Sequence, residues 1–488
     1  MKYRFLFFLS LFFSVSLWSQ AVKKPVAAPA KNIAITLTPL KNCKVYLGSY
    51  YGKGRVLVDS AQLNEKSVGS FKGTTKLPGG IYFVVSPQYT VQFELLIGNQ
   101  QQFSITGDTA QKDNPVIKGS PDNDLFKEYS AVTIEKGKGL MNLNQQMSTA
   151  KTKDDSAKLR NEIIRLNKEL QNYREDIIKK HPSSLLTTLL TAMKRPDAPA
   201  IPIVNGKADS TYPYRFVKNH FWDDVAFNDD RLLRTPFFEP KLDDYFKFYV
   251  SPEPDSIIKE VKYILLSSRT GKEMYPYLLT KFTNKYMNPE YMGQDKVFLY
   301  MFDNFYSKGD TTFLNAASRK TIFERAYSMM ANQLGNPAPL LNLRDTTEKV
   351  ISLYSIQSAF TLVVFWDPTC SHCKEEIPRI DSMYRAKWKS LGITIYAVNT
   401  AEKTMDELKK FVAEKHLSSD WILVYQPKAE RDAEQVAGQP NFRQLYDVYK
   451  TPTLYLLDDK KNIIAKQLSI EQFDDLIAAK LKKQNSSK

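Results

Sequence analysis

Hydrophobic and polar positions follow three different rhythms along this chain. From residue 32 to 120 the apolar residues come in short runs punctuated by Gly, Pro and Asn: 33–37, 44–48, 55–58, 80–85 and 92–96. Runs of that length and spacing predict strands, and together they predict an N-terminal β-sandwich. From residue 121 to 335 the period lengthens. Leu159, Ile163, Leu166, Leu170, Tyr173 and Ile177 recur at helical spacing among Lys, Arg, Asn and Glu, which predicts an amphipathic helix. Ser183 and Ser184 stand where a cap for a helix over 185–193 belongs. Further helices are expected over 214–222, 241–249, 255–266, 274–286, 297–306 and 313–333, giving a central all-α domain. From residue 336 to 484 the pattern alternates. Strands at 361–366, 393–398, 421–424 and 463–465 interleave with helices at 404–416, 442–446 and 471–481, as in a mixed α/β sheet. The polar stretch 428–439 reads as a surface loop.

The first residues follow another logic. Lys2 and Arg4 precede an apolar core over residues 5–18, too short for a comfortable membrane span, and Ser19-Gln20-Ala21 offers a cleavage region. Residues 1–20 therefore read as a signal peptide and 21–31, with Pro25 and Pro29, as a spacer. No cysteine lies near the cut, which argues against a lipid anchor, and no later run is long and apolar enough to span a bilayer. The expectation is an exported, periplasmic protein. The net charge of +15 is spread among acidic neighbours without a basic cluster interleaved with aromatics, so a nucleic-acid module is not expected.

Three cysteines are too few for a disulfide scaffold. In an exported chain, Cys370-Ser371-His372-Cys373 therefore reads as working chemistry, and Cys43 as a small buried hydrophobe. The run from Thr361 to Trp366 is β-branched and aromatic, as in a buried parallel strand. Pro368 ends it, and Ile377, Ile380, Met383 and Tyr384 then fall on one helical face. Cys370 is thus placed where a strand hands over to a helix, whose free N–H groups and partial positive charge favour thiolate over thiol. Cys373, one turn on, can close a small disulfide ring. A zinc site would need two further ligands, and His220 with Asp223 and Asp224 reads as an ion-paired helix end, so no metal or other cofactor is expected.

Phe365-Trp366, the C-x-x-C, Lys374 directly after it and Pro378 inside the helix resemble the thioredoxin superfamily. Thr451-Pro452-Thr453 and the apolar run behind it are similar to that family's cis-proline loop. Asn336-Pro337-Ala338-Pro339-Leu340, Leu343, Asp345 and Glu376 resemble the TlpA/ResA-like extracytoplasmic branch. Asp59-Ser60-Ala61 and residues 77–82 resemble the β-rich domain that precedes such proteins, and residues 220–236 a helical domain of unknown function. The resemblance implies a thiol–disulfide oxidoreductase acting on disulfides or thiols of client proteins and supplied by a membrane-bound electron donor. It implies Cys370 as nucleophile, Cys373 as resolving thiol, Glu376 as the proton carrier for Cys373, and His372 as a group that lowers the Cys370 pKa. Thr451, Pro452 and Trp366 would meet the client. The sequence departs from the family at Thr369, where tryptophan is usual, at Val364, where cytoplasmic thioredoxins bury an aspartate, and in the Ser371-His372 dipeptide. A thiol peroxidase on the same fold, and a binding or scaffold protein with auxiliary cysteines, are the competing classes.

Overall fold

The structure, a computed structural model, describes residues 29–112, 114–401 and 405–486. The expected signal peptide and most of the spacer lie outside the described residues. The chain forms two compact units, one up to residue 190 and one from residue 191.

The first unit opens with eight strands: β1 (Lys31–Thr38), β2 (Lys44–Tyr51), β3 (Gly54–Gln62), β4 (Val68–Gly73), β5 (Gly80–Val85), β6 (Val91–Ile97), β7 (Gln102–Asp108) and β8 (Val116–Lys118). They make two four-stranded sheets, ordered β4-β1-β7-β8 and β3-β2-β5-β6. Ile33, Ile35 and Leu37 from one sheet meet Val45, Leu47, Tyr82, Val84 and Leu95 from the other in one core. This is the expected sandwich, and Cys43 packs half-buried against its core. Strands β4, β7 and β8 were not foreseen. β4 carries one fully buried large side chain, Phe71, and β7 buries only Phe103 and Ile105 before Gly107, so neither has a hydrophobic run. Two long helices follow, α1 (Pro121–Thr149) and α2 (Lys153–Lys180). The side-chain amide of Asn123 donates to the Leu96 carbonyl and accepts from its N–H, both at 2.8 Å, which fixes the start of α1 to β6. Thr152 caps α2 by accepting from the Asp155 N–H at 3.0 Å. Helix α3 (Leu185–Met193) comes next.

The second unit begins with a small hairpin, β9 (Ile203–Val204) and β10 (Lys207–Ala208), and continues through helices α4 (Tyr212–His220), α5 (Phe238–Phe248), α6 (Pro254–Ser267), α7 (Met274–Met287), α8 (Asp295–Asn304) and α9 (Ala316–Ala331). Phe221, Trp222, Phe227 and Tyr245 form an aromatic cluster with ring centroids about 5 Å apart. His220, at the end of α4, lies 2.7 Å from Asp223 through Nδ1. The chain then enters a sheet of seven strands: β11 (Asn342–Asp345), β12 (Val350–Ser352), β13 (Phe360–Trp366), β14 (Ile393–Asn399), β15 (Ile422–Tyr425), β16 (Thr453–Leu457) and β17 (Ile463–Lys466), ordered β12-β11-β15-β14-β13-β16-β17. β13, β14 and β15 are parallel; β16 runs against β13, and β17 against β16. Every residue of β13 is buried, because its two faces serve two cores: Leu362, Val364 and Trp366 on one side, Val363 and Phe365 on the other. Helices α10 (Ser371–Met383), α11 (Met405–Glu414), α12 (Lys428–Val436), α13 (Phe442–Leu445) and α14 (Ile470–Ser486) complete this α/β domain.

The stretch expected as a loop over 428–439 is largely helix α12. It has no buried residue and so no apolar stripe to read, but its Ala, Glu, Lys, Arg and Gln are strong helix formers, and Lys428 pairs with Asp432 one turn on. Within this unit the helices reach into the α/β domain through buried charges. Lys466 Nζ donates to Asp295 Oδ2 at 2.6 Å and to the carbonyl and side-chain oxygens of Asn332 at 2.9 and 2.8 Å. Arg325 pairs with Asp447 at 2.7 Å.

Candidate active site

The strand-to-helix turn is built by Asp367. Its carboxylate accepts from the Thr369 N–H and hydroxyl, both at 2.7 Å, and its carbonyl accepts from the Cys370 N–H at 3.1 Å. Pro368 removes the N–H that would extend the strand. Cys370 then serves as the N-cap residue of α10, in extended backbone, and its carbonyl accepts from the Lys374 N–H. Both cysteines are free thiols. Cys370 is half-buried, while Cys373 is fully buried among Trp366, Ile377 and Ile380.

The antiparallel run of β16 brings Thr451 and Pro452, just before its first residue, to the end of the sheet where β13 delivers Cys370. The Thr451–Pro452 peptide is cis. Cys370 Sγ lies 3.5 Å from the Thr451 carbonyl oxygen, and Cys373 Sγ accepts from the Asp367 N–H at 3.5 Å.

These surroundings split the two thiols. Burial pushes the Cys370 thiol up, but hydrogen bonds from the Cys373 N–H, from Thr451, from the Cys373 thiol and from the His372 N–H outweigh it and hold Cys370 below the ordinary thiol value. Burial pushes Cys373 up to about 12, with the Cys370 charge adding to it. One sulfur is thus an anion in waiting at the surface, and the other is a protonated thiol beneath it.

Three sequence-based expectations need correction or refinement. Trp366 cannot meet a client: it is 0% exposed, it packs on Phe411 with centroids 5.4 Å apart, and its Nε1 has no polar partner among the described residues. Being the last residue of β13, it points into the same core layer as Val364 by strand alternation. Glu376 is engaged by an arginine. Its carboxylate accepts from Arg379 at 2.5 Å, Arg379 also binds Glu471, and among the described residues no hydrogen bond joins Glu376 to either cysteine. His372 is exposed, and the part of it that bears on Cys370 is its peptide N–H. Thr451 meets Cys370 through its backbone carbonyl, and its side chain pulls both thiols downward. Val364 lies in the core, so no carboxylate stands under the dithiol at that position. The expected outcome for Glu376→Gln is a rate of mixed-disulfide resolution by Cys373 within about twofold of the parent, since it breaks only a partly exposed ion pair. A tenfold loss at neutral pH would restore Glu376 as a proton carrier.

Fold and site together define a thioredoxin-like protein with a strand–turn–helix dithiol. Residues 334–466 match the AhpC/TSA family, residues 150–326 a domain of unknown function (DUF5106) and residues 32–126 another (DUF4369). A domain of a possible thiol-disulfide isomerase from Cytophaga hutchinsonii is 33% identical, over 31% of this chain and 96% of that one, with a TM-score of 0.27. The thioredoxin domain of a thiol-disulfide oxidoreductase from Bacteroides vulgatus is 30% identical, over 30% of this chain and 96% of that one, with a TM-score of 0.25. The thioredoxin-like protein YneN of Bacillus subtilis is 24% identical over 128 residues, 26% of this chain and 67% of its own length. Through its C-terminal domain, this chain belongs to the thioredoxin-like thiol–disulfide oxidoreductase family.

Proposed function

We propose that this protein is an exported oxidoreductase that reduces or isomerises disulfides in client proteins through Cys370 and Cys373. The observation that carries the reading is the geometry of the pair: Cys370 half-buried at the N-cap of α10, Cys373 buried one turn on, and the cis Thr451–Pro452 loop 3.5 Å from Cys370 Sγ. The Cys370 thiolate attacks one sulfur of a client disulfide. The client S–S bond breaks, a mixed disulfide forms, and the other client sulfur leaves as a thiolate that takes up a proton. Cys373 then gives up its proton and attacks Cys370 Sγ, releasing the second client sulfur. Two electrons pass to the client, and Cys370–Cys373 is left as a disulfide. A dithiol donor held at the inner membrane would return those electrons. The basic and apolar residues at the N-terminus support export to the periplasm.

The test is the reduction potential of the Cys370–Cys373 pair in the full chain, equilibrated with glutathione and compared with Cys370→Ser. The expected value lies between about −270 and −180 mV, the span from thioredoxin to protein disulfide isomerase. A value near about −120 mV, that of a strong oxidant, or the absence of a Cys370–Cys373 disulfide, would sink the reading.

A further inference from the structure

The loop that presses on the dithiol is anchored from outside the thioredoxin-like domain. It leaves α13 through Tyr446, takes a left-handed turn at Asp447 and reaches Thr451 four residues later. Its far end is tied down locally, where the Thr453 hydroxyl donates to the Lys450 carbonyl at 2.6 Å. Its near end is held by α9. Arg325 Nη1 donates to Asp447 Oδ1 at 2.7 Å, and the guanidinium lies 4.3 Å from the ring centroid of Tyr449. Nη2 donates to the Met287 carbonyl at 2.7 Å, at the last residue of α7. Asp447 and Arg325 are only 5% and 9% exposed. One side chain therefore joins two helices to two residues of the loop.

Arg325 is suited to this because its planar fork serves several acceptors in fixed directions and its face stacks on an aromatic ring. Asp447 also needs it. Burial pushes this carboxyl up to about 6 against the pull of Arg325 and Lys466, so its charge at neutral pH depends on those cations. Without Arg325, the buried carboxyl would take up a proton or find water, and the loop carrying Thr451 would lose its tie to α9.

We propose that Arg325 is a positioning residue for the dithiol, holding the Asp447–Thr451 loop so that Thr451 meets Cys370. This rests on Cys370 being the attacking thiol. Arg325 touches neither sulfur; it acts through Thr451, and a purely structural clamp would leave the chemistry of Cys370 where it is.

The experiment follows the rate of Cys370 alkylation by iodoacetamide against pH in the reduced full-length protein, with the labelled residue identified by peptide mapping. Arg325→Met raises the apparent Cys370 pKa by about one unit and slows its alkylation about tenfold on the acid side of the profile. Arg325→Lys, which keeps a cation beside Asp447, recovers part of that loss. Thr451→Val, which removes the side-chain pull on Cys370 and keeps the backbone carbonyl, produces a shift of the same sign, and adding Arg325→Met to it moves the profile by less than Arg325→Met does alone. If Arg325→Met does not fold, Asp447→Asn takes its place and shifts the profile in the same direction by a smaller amount. The proposal is overturned if the folded variant keeps the parent pH profile, or if its shift adds in full to that of Thr451→Val. Alkylation needs no disulfide. A protein that fails to close Cys370–Cys373 would therefore sink the redox function, while the pH profile still judged Arg325.

Discussion

At pH 7, iodoacetamide is expected to alkylate Cys370 and leave Cys373 essentially unmodified, and on the proposed mechanism the Cys373→Ser protein traps a disulfide-bearing substrate as a mixed disulfide. The thiolate, not the thiol, is the nucleophile. With Cys373 pushed up to about 12, its thiolate fraction at neutral pH is about one part in 10⁵, whereas an ordinary thiol is a few per cent ionised. Selectivity above about 10³-fold follows from ionisation alone, and the 0% exposure of Cys373 also keeps the reagent from its sulfur. The Cys370 group is depressed, so its alkylation rate stays near its plateau to lower pH than that of a free cysteine, then falls as the thiolate is protonated. On the proposed mechanism, Cys370→Ser removes the attacking sulfur and is expected to abolish exchange. Mass spectrometry of the labelled protein decides the matter, and equal labelling of the two cysteines would contradict the division of roles.

The second large effect is on stability. Lys466→Met is expected to destabilise the second unit by about 3–5 kcal/mol, because it removes one partner of a buried ion pair and strands the other. Lys466 is 6% exposed and Asp295 3%, and all three ammonium protons have acceptors, on Asp295 and twice on Asn332. Once the lysine is gone, Gln333 remains as a donor to Asp295 Oδ2, which is not enough to solvate a carboxylate. The double replacement Lys466→Met with Asp295→Leu should recover most of the loss, since a buried pair exchanged for apolar residues is often neutral. Urea unfolding followed by tryptophan fluorescence measures both. A single variant with an unchanged midpoint would show that the pair contributes nothing.

What could be read from the sequence follows from how local each signal was. Seven consecutive buried positions in β13, a proline, and cysteines at the start of an apolar helical stripe all sit within twenty-odd residues, and each leaves its mark on the hydrophobic pattern. The sandwich was legible in β1, β2, β3, β5 and β6, which carry apolar runs, and not in β4 or β7, where glycine and small polar residues dilute them. Trp366 was misplaced because a motif match says which residue is present, whereas strand alternation decides which way it points. The motif match likewise does not show that Glu376 is paired with Arg379, one turn away. The anchors of the active-site loop were invisible for a different reason. Arg325 and Asp447 lie 122 residues apart, and Asp295 and Lys466 lie 171 apart, so neither pair imposes a local period. Each residue alone looks like one more charge in a field of them.

The buried charges also bear on how such a chain can change over generations. Asp295 and Arg325 belong to the helical segment, Asp447 and Lys466 to the thioredoxin-like one, and each pair is matched across the junction between them. A recombination that joined this C-terminal segment to an unrelated neighbour would bring Lys466 and Asp447 to a new boundary without their partners. A substitution at one of these four positions calls for an answering one on the other side. The two segments are therefore expected to be inherited as one piece, with residues 295 and 466, and 325 and 447, varying in step.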